Sequence, residues 1–212
     1  MLRTTDFCGK QITRLILGDN PFNGHSYIRH VHSSGEMLDF YTADKVLNAL
    51  FEADGLGINA YMALADPFIL RILRQYKNEG GKMEIIFQSY SAIELSTNMW
   101  QMMMCEPYGI YLAGSALDYL REEENIEEIH KRLKLIRDAG VKTGFASHEP
   151  ETILRAEREG WDVDFYSTCL YNARRTQRGE QSGFITGKHK DLAFYPGDPP
   201  FMFEAIRAVS KP

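Results

Sequence analysis

Six short apolar runs alternate with longer segments of helical spacing, and this alternation constrains the fold more than any other feature of the chain. The runs are Leu15-Ile16-Leu17, then 58–65 (INAYMALA), 83–90 (MEIIFQSY), 109–115 (GIYLAGS), 141–147 (VKTGFAS) and 163–171 (VDFYSTCLY). Between them lie helix signals. Thr42 can cap a helix carrying Val46, Leu47, Leu50 and Phe51 on one stripe, stopped by Gly55. Asp66-Pro67 opens another, with Ile69, Leu70, Leu73 and Tyr76 at helical spacing. A third is predicted over 92–105. Asn125 with Glu128 fits a capping box ahead of Ile126, Ile129, Leu133 and Ile136. Pro150 opens a helix closed by Gly160, and Asp198-Pro199 starts a last one with Phe203, Ile206 and Val209 predicted to face inward.

Strict βα alternation demands a parallel sheet with crossover helices. A doubly wound open sheet and a (β/α)8 barrel both satisfy it. No GxGxxG or GxxxxGK[ST] follows any run, which weakens the nucleotide-binding open sheet. Polar residues fall at the C-terminal ends of separate runs: Asp19-Asn20, Asp66, Gln88-Ser89, Ser115, Ser147-His148 and Tyr171-Asn172. Barrel active sites are built there. The expectation is therefore an α/β fold of (β/α)8 TIM-barrel type, truncated after about six βα units, forming a single incomplete domain over 1–212. A closed barrel has no edges, whereas six strands leave two. The missing strands are thus expected from a longer chain or from a partner, with self-association through open sheet edges as a consequence.

At 44% hydrophobic residues over 212 positions, the chain can bury one sizeable core. Its net charge of −5 gives no electrostatic footprint for nucleic acid or an anionic membrane. The one basic cluster, Arg174, Arg175 and Arg178 with Lys188 and Lys190, reads as a solvated loop. Three widely spaced cysteines, Cys8, Cys105 and Cys169, form no CxxC pair and no disulfide framework. No apolar stretch reaches the roughly 18 residues of a membrane span. A soluble cytoplasmic protein acting on a small molecule, with no nucleic-acid or membrane partner, is the expectation.

Three stretches carry a resemblance: 3–22 (RTTDFCGKQITRLILGDNPF), 55–68 (GLGINAYMALADPF) and, above all, 126–172 (IEEIHKRLKLIRDAGVKTGFASHEPETILRAEREGWDVDFYSTCLYN). Together they resemble the aldo-keto reductase barrel superfamily: its capping hairpin and first strand, its second strand, and its fourth helix through sixth strand. The resemblance implies NADPH-linked carbonyl reduction by an Asp/Tyr/Lys/His tetrad. This chain departs from that tetrad at every position. Met62 or Ala63 stands at the Asp, Pro67 or Phe68 at the Tyr, Gln88 near the Lys, and Ala113 or Gly114 at the His. Phe68 has no hydroxyl to donate, and Gln88 cannot lower a phenol's pKa by charge. Ser147 stands where an Asn would hold the cofactor's carboxamide. NAD(P)H is implied by the resemblance but disfavoured by these residues.

What chemistry remains sits in the loops after the runs. Asp19 directly follows an apolar strand, a costly place for a carboxylate unless it is hydrogen-bonded or functional. It either caps local N–H groups or transfers protons. His25 in the first loop and His148 after the fifth run face each other across a barrel mouth in the expected fold, so Asp19, His25 and His148 are the catalytic candidates. Each histidine also fits a surface or helix-capping role. A divalent metal held by this pair with Asp19 or Glu149 is conceivable but lacks an anchoring HxH or HxxxH, since the HxH of His30 and His32 lies beyond the mouth. Asn20, Asn23, Gln88, Ser115, Ser147, Glu149, Tyr171 and Asn172 are the substrate-binding candidates. Cys169, with no base near it in sequence, reads as a small buried hydrophobe rather than a nucleophile. Acid–base chemistry on a small carbonyl or sugar-like compound is one functional expectation. A non-catalytic relative that binds a ligand or a protein partner is the other.

Overall fold

The computed structural model describes residues 2–26, 31–176 and 194–212. His30, Arg178, Lys188, His189 and Lys190, singled out above or adjoining those residues, lie outside them. The chain opens with an antiparallel hairpin, β1 (Thr4–Phe7) and β2 (Lys10–Thr13). Its turn is Cys8-Gly9, both at positive φ (53° and 94°), and Asp6 accepts the Gly9 N–H at 3.2 Å. Two successive left-handed residues match the twist of the flanking strands. The alternation then runs β3 (Leu17–Gly18), α1 (Ser34–Phe40), α2 (Ala43–Gly55), β4 (Ala60–Leu64), α3 (Pro67–Asn78), β5 (Glu84–Gln88), α4 (Leu95–Met103) and β6 (Gly109–Leu112). It continues with α5 (Gly114–Glu122), α6 (Ile126–Asp138), β7 (Lys142–Ser147), α7 (Pro150–Glu159), β8 (Phe165–Thr168), a 3-10 turn (Ala173–Thr176) and α8 (Asp198–Ala208).

The strand order is β3-β4-β5-β6-β7-β8, and every pair with a described register is parallel. This corrects the expectation of a (β/α)8 barrel. The fold is α/β, with a six-stranded parallel sheet and a separate two-stranded hairpin. Closure needs the first and last strands to bond to each other, and among the described residues they do not. β3 is two residues long and, among the described residues, pairs only with β4, through Leu17↔Tyr61 and Gly18↔Met62. On β8 the Tyr166 N–H is met by the Pro212 carbonyl at 2.9 Å.

The described residues form two compact units, Met1–Gln88 with Trp100–Tyr108, and Ser89–Met99 with Gly109–Pro212. In the first, Asp66 caps α3 as expected, accepting the Phe68 and Ile69 N–H groups at 2.8 and 2.9 Å. The stripe behind that cap, Ile69, Leu70, Leu73 and Tyr76, is buried. In the second, Asn125 accepts the Glu128 N–H at 3.3 Å, and Ile129, Leu133 and Ile136 of α6 are buried. Two local readings need correction. The run 109–115 is not one strand: β6 stops at Leu112 and α5 starts at Gly114 with no intervening loop. The face of α8 is also different, with Met202 and Ala205 buried while Phe203 and Ile206 are exposed. Helix α8 packs against α7, and the smaller residues allow the closer approach.

Candidate functional site

The second unit gathers the most reactive set. His148 and Cys169 each follow directly on the last register pair of neighbouring parallel strands, Ser147↔Thr168. The Cys169 N–H donates to the Ser147 carbonyl at 3.0 Å, which carries the ladder one step past β8. Parallel partners of this kind lie about 4.8 Å apart and project to the same side. Asp118, on α5, is fully buried against them. Its Oδ1 accepts the Ser147 hydroxyl at 2.6 Å. Its Oδ2 accepts the His148 backbone N–H at 3.0 Å and lies 2.9 Å from His148 Nδ1. A buried carboxylate with three donors is a satisfied acceptor. Gly114 leaves room for the ring: a Cβ there would lie 3.2 Å from His148 Cε1, and the ring would have to give by a few tenths of an ångström.

Burial opposes a charge on His148, but the hydrogen bond to Asp118 and the influence of the neighbouring Cys169 side chain hold its pKa at about 10, above the ordinary 6.5. The ring is therefore an imidazolium at neutral pH. Nδ1 is committed to Asp118, so Nε2 is the nitrogen left to exchange a proton with the thiol or with a bound molecule. His148 also lines a cavity of about 350 Å³, together with Leu154, Leu170, Asn172, Arg175, Asp198 and Phe201 among others. Asp198 accepts the Asn172 N–H at 3.1 Å and pairs with Arg175 at 2.7 Å, fixing the polar wall. Apolar walls with a few placed polar groups are the usual make-up of a small-molecule site.

The other candidates of this unit have defined places. Ser147 holds Asp118. Glu149 is buried and ion-paired with Arg121. Asn172 lines the cavity. Tyr171 is exposed and meets Phe194 edge-on, with ring centroids 5.2 Å apart. Ser115 is half-buried on α5.

In the first unit, Asp19 is buried, with its Oδ2 accepting the Leu64 N–H at 2.6 Å and the Asn23 amide at 3.1 Å. Burial raises its pKa from 3.8 to about 7; the Leu64 hydrogen bond opposes this and the charge of Asp66 adds to it. Burial likewise raises Asp66. The Tyr61 hydroxyl is fully buried with no hydrogen-bond partner among the described residues, and burial, then the charges of Asp19 and Asp66, push its pKa well up. Asn20 is exposed, and its carbonyl accepts the His25 N–H at 2.8 Å. Gln88 closes β5, its carbonyl accepting the Ala65 N–H at 2.9 Å. Asp19, Asn20, Asn23, His25 and Gln88 thus belong to the first unit; Ser115, Ser147, His148, Glu149, Tyr171 and Asn172 belong to the second. The expectation that His25 faces His148 drew on barrel closure, which the described strands do not make.

Sequence reasoning missed Asp118, and it read Cys169 as buried, whereas the residue is half-buried and follows the strand pairing beside His148. The one signal for Asp118 was a carboxylate inside the apolar stretch Ala116-Leu117-Asp118-Tyr119-Leu120. Among the described residues no group of three or more His, Cys, Asp or Glu is arranged to hold a metal ion. No described helix is long and apolar enough to cross a membrane. Compared with known proteins, the chain matches no family model and no curated protein, so neither comparison identifies an aldo-keto reductase relative.

Proposed function

We propose that the protein is an enzyme for a small carbonyl or sugar-like compound, with His148 as its acid–base group. The observation that carries this reading is the Asp118–His148 pair, 2.9 Å apart, with the imidazole on the wall of a cavity of about 350 Å³. At neutral pH the imidazolium enters the reaction as a proton donor to a carbonyl or leaving-group oxygen. Asp118 holds the ring in one tautomer and offsets the charge. Asn172 and Arg175 are the cavity's neutral and cationic donors for substrate oxygens. Asp19, with a pKa of about 7, is a second proton-exchanging group, in its own unit. The three free cysteines fit the reducing cytoplasm, where we place the protein.

The test is turnover of a panel of small aldehydes, ketones, esters and sugars, followed by proton NMR, for wild type and His148→Gln. Loss of general acid–base catalysis costs about 10²- to 10⁴-fold. At least one compound should be converted by wild type and slowed about a hundredfold or more in the variant. Equal rates would remove His148 from the chemistry. No conversion of any compound, with saturable binding retained, would favour a ligand-binding protein.

A further inference from the structure

We propose that Cys169 is the nucleophile of this site and that the substrates are acyl compounds, small esters, thioesters or amides. The inference rests on the reading of His148 as the acid–base group and adds the atom that attacks. Cys169 stands on β8's extension in register with His148, with its N–H on the Ser147 carbonyl. In that register its side chain projects to the same side as the imidazole, whose Nδ1 is held by Asp118. Nucleophile and imidazole thus stand side by side on neighbouring strands, with the imidazole oriented by its carboxylate, an arrangement that activates a thiol. The next residue, Leu170, lines the cavity beside His148.

The chemistry closes without a further reagent except water. The pair reacts as thiolate and imidazolium, with the thiol's proton already on His148 Nε2 and Asp118 stabilising the charge. The sulfur lone pair forms an S–C bond to the acyl carbon, while the C=O π pair moves onto oxygen. Collapse restores the C=O bond and breaks the bond to the leaving group, which departs with the proton from Nε2. Water, deprotonated by the same nitrogen, attacks the thioester; the C–S bond breaks and its electron pair returns to sulfur. An aldehyde would stop at the thiohemiacetal, since going further requires a hydride acceptor. This asymmetry selects acyl compounds from among carbonyl substrates.

Two measurements on the full chain test the proposal. In the first, 4-nitrophenyl acetate is the probe, with nitrophenolate release followed by absorbance and the acid-quenched protein mapped by mass spectrometry. A burst matching the protein concentration is expected, with one acetyl group on Cys169. Cys169→Ser should reduce the burst at least about tenfold with an unchanged melting temperature, while Cys8→Ser and Cys105→Ser keep it. In the second, wild type alone is alkylated with iodoacetamide. Cys8 and Cys169 are both half-buried, so exposure does not separate them. Cys169 should react at least about tenfold faster, because the thiolate is the reactive form.

Acetylation elsewhere, a full burst in Cys169→Ser, or equal alkylation of the two cysteines would overturn the proposal. If Cys169→Ser retains a turnover that His148→Gln loses, the nucleophile falls and the acid–base reading stands. If Cys169 is acetylated while His148→Gln turns over normally, the nucleophile stands and the acid–base reading falls.

Discussion

Asp118→Asn should destabilise the protein strongly, and by an amount that depends on pH. The carboxylate is fully buried and serves the Ser147 hydroxyl, the His148 N–H and His148 Nδ1. An amide of the same shape offers one oxygen, and its NH₂ group is set against at least one of those three donors. Removing one partner of a buried charged pair costs about 3–5 kcal/mol. At about 2–4 °C per kcal/mol for a chain of this size, the melting temperature should fall by roughly 6–20 °C. His148 is raised from 6.5 to about 10 by partners that include Asp118. A raised imidazole pKa means that the folded state holds the proton more tightly than the unfolded state. Its stabilisation is complete below pH 6.5 and is lost as pH rises towards 10. The gap between wild type and variant should therefore be widest at pH 6 and narrow towards pH 10. Thermal unfolding by circular dichroism across that range measures it. A melting temperature within about 2 °C of wild type, or a gap that does not change with pH, would refute the reasoning.

Asp19 titrates in the same sense through a different window. Its pKa is raised by burial from 3.8 to about 7, so wild-type stability should fall as pH rises from 4 through 7, and Asp19→Asn should flatten that dependence in denaturant titrations. A parallel pair of curves would remove Asp19 from the account. Gly144 lies opposite Phe165 in the sheet, and a Cβ there would meet the ring at 2.6 Å. Gly144→Ala should cost about 1–3 kcal/mol of unfolding free energy, and a neutral result would show that the ring can move aside.

The legible part of the fold was whatever has a local cause. Asp66-Pro67 announces a helix because the Asp oxygen meets orphan N–H groups and Pro lacks one. Apolar stripes such as Ile129, Leu133 and Ile136 announce a buried face. Closure is not local. A βα unit has the same pattern whether the sheet closes or stays open, so the barrel expectation had no sequence signal to correct it. The site was half legible for a related reason. His148 could be placed at a strand end from the run 141–147. Its partner could not, because α5 begins directly after β6 with Ala113 at the cap and no capping side chain to mark a boundary. Cys169 looked inert because its base lies 21 positions earlier in the chain and meets it only through the pairing of β7 with β8. On α8, the large side chains Phe203 and Ile206 suggested the inner face, whereas packing against α7 favours Met202 and Ala205.

The central claim is that His148 stands charged on the cavity wall with Nδ1 on Asp118, and a two-dimensional proton–nitrogen spectrum of the imidazole rings tests it most directly. From pH 5 to 11 in the wild type, one histidine should keep both ring protons well past neutrality and lose its charge only near 10; that resonance should be missing in His148→Gln and titrate lower in Asp118→Asn. Titration of His148 near its ordinary 6.5 in the folded wild type, unchanged in Asp118→Asn, would contradict the account.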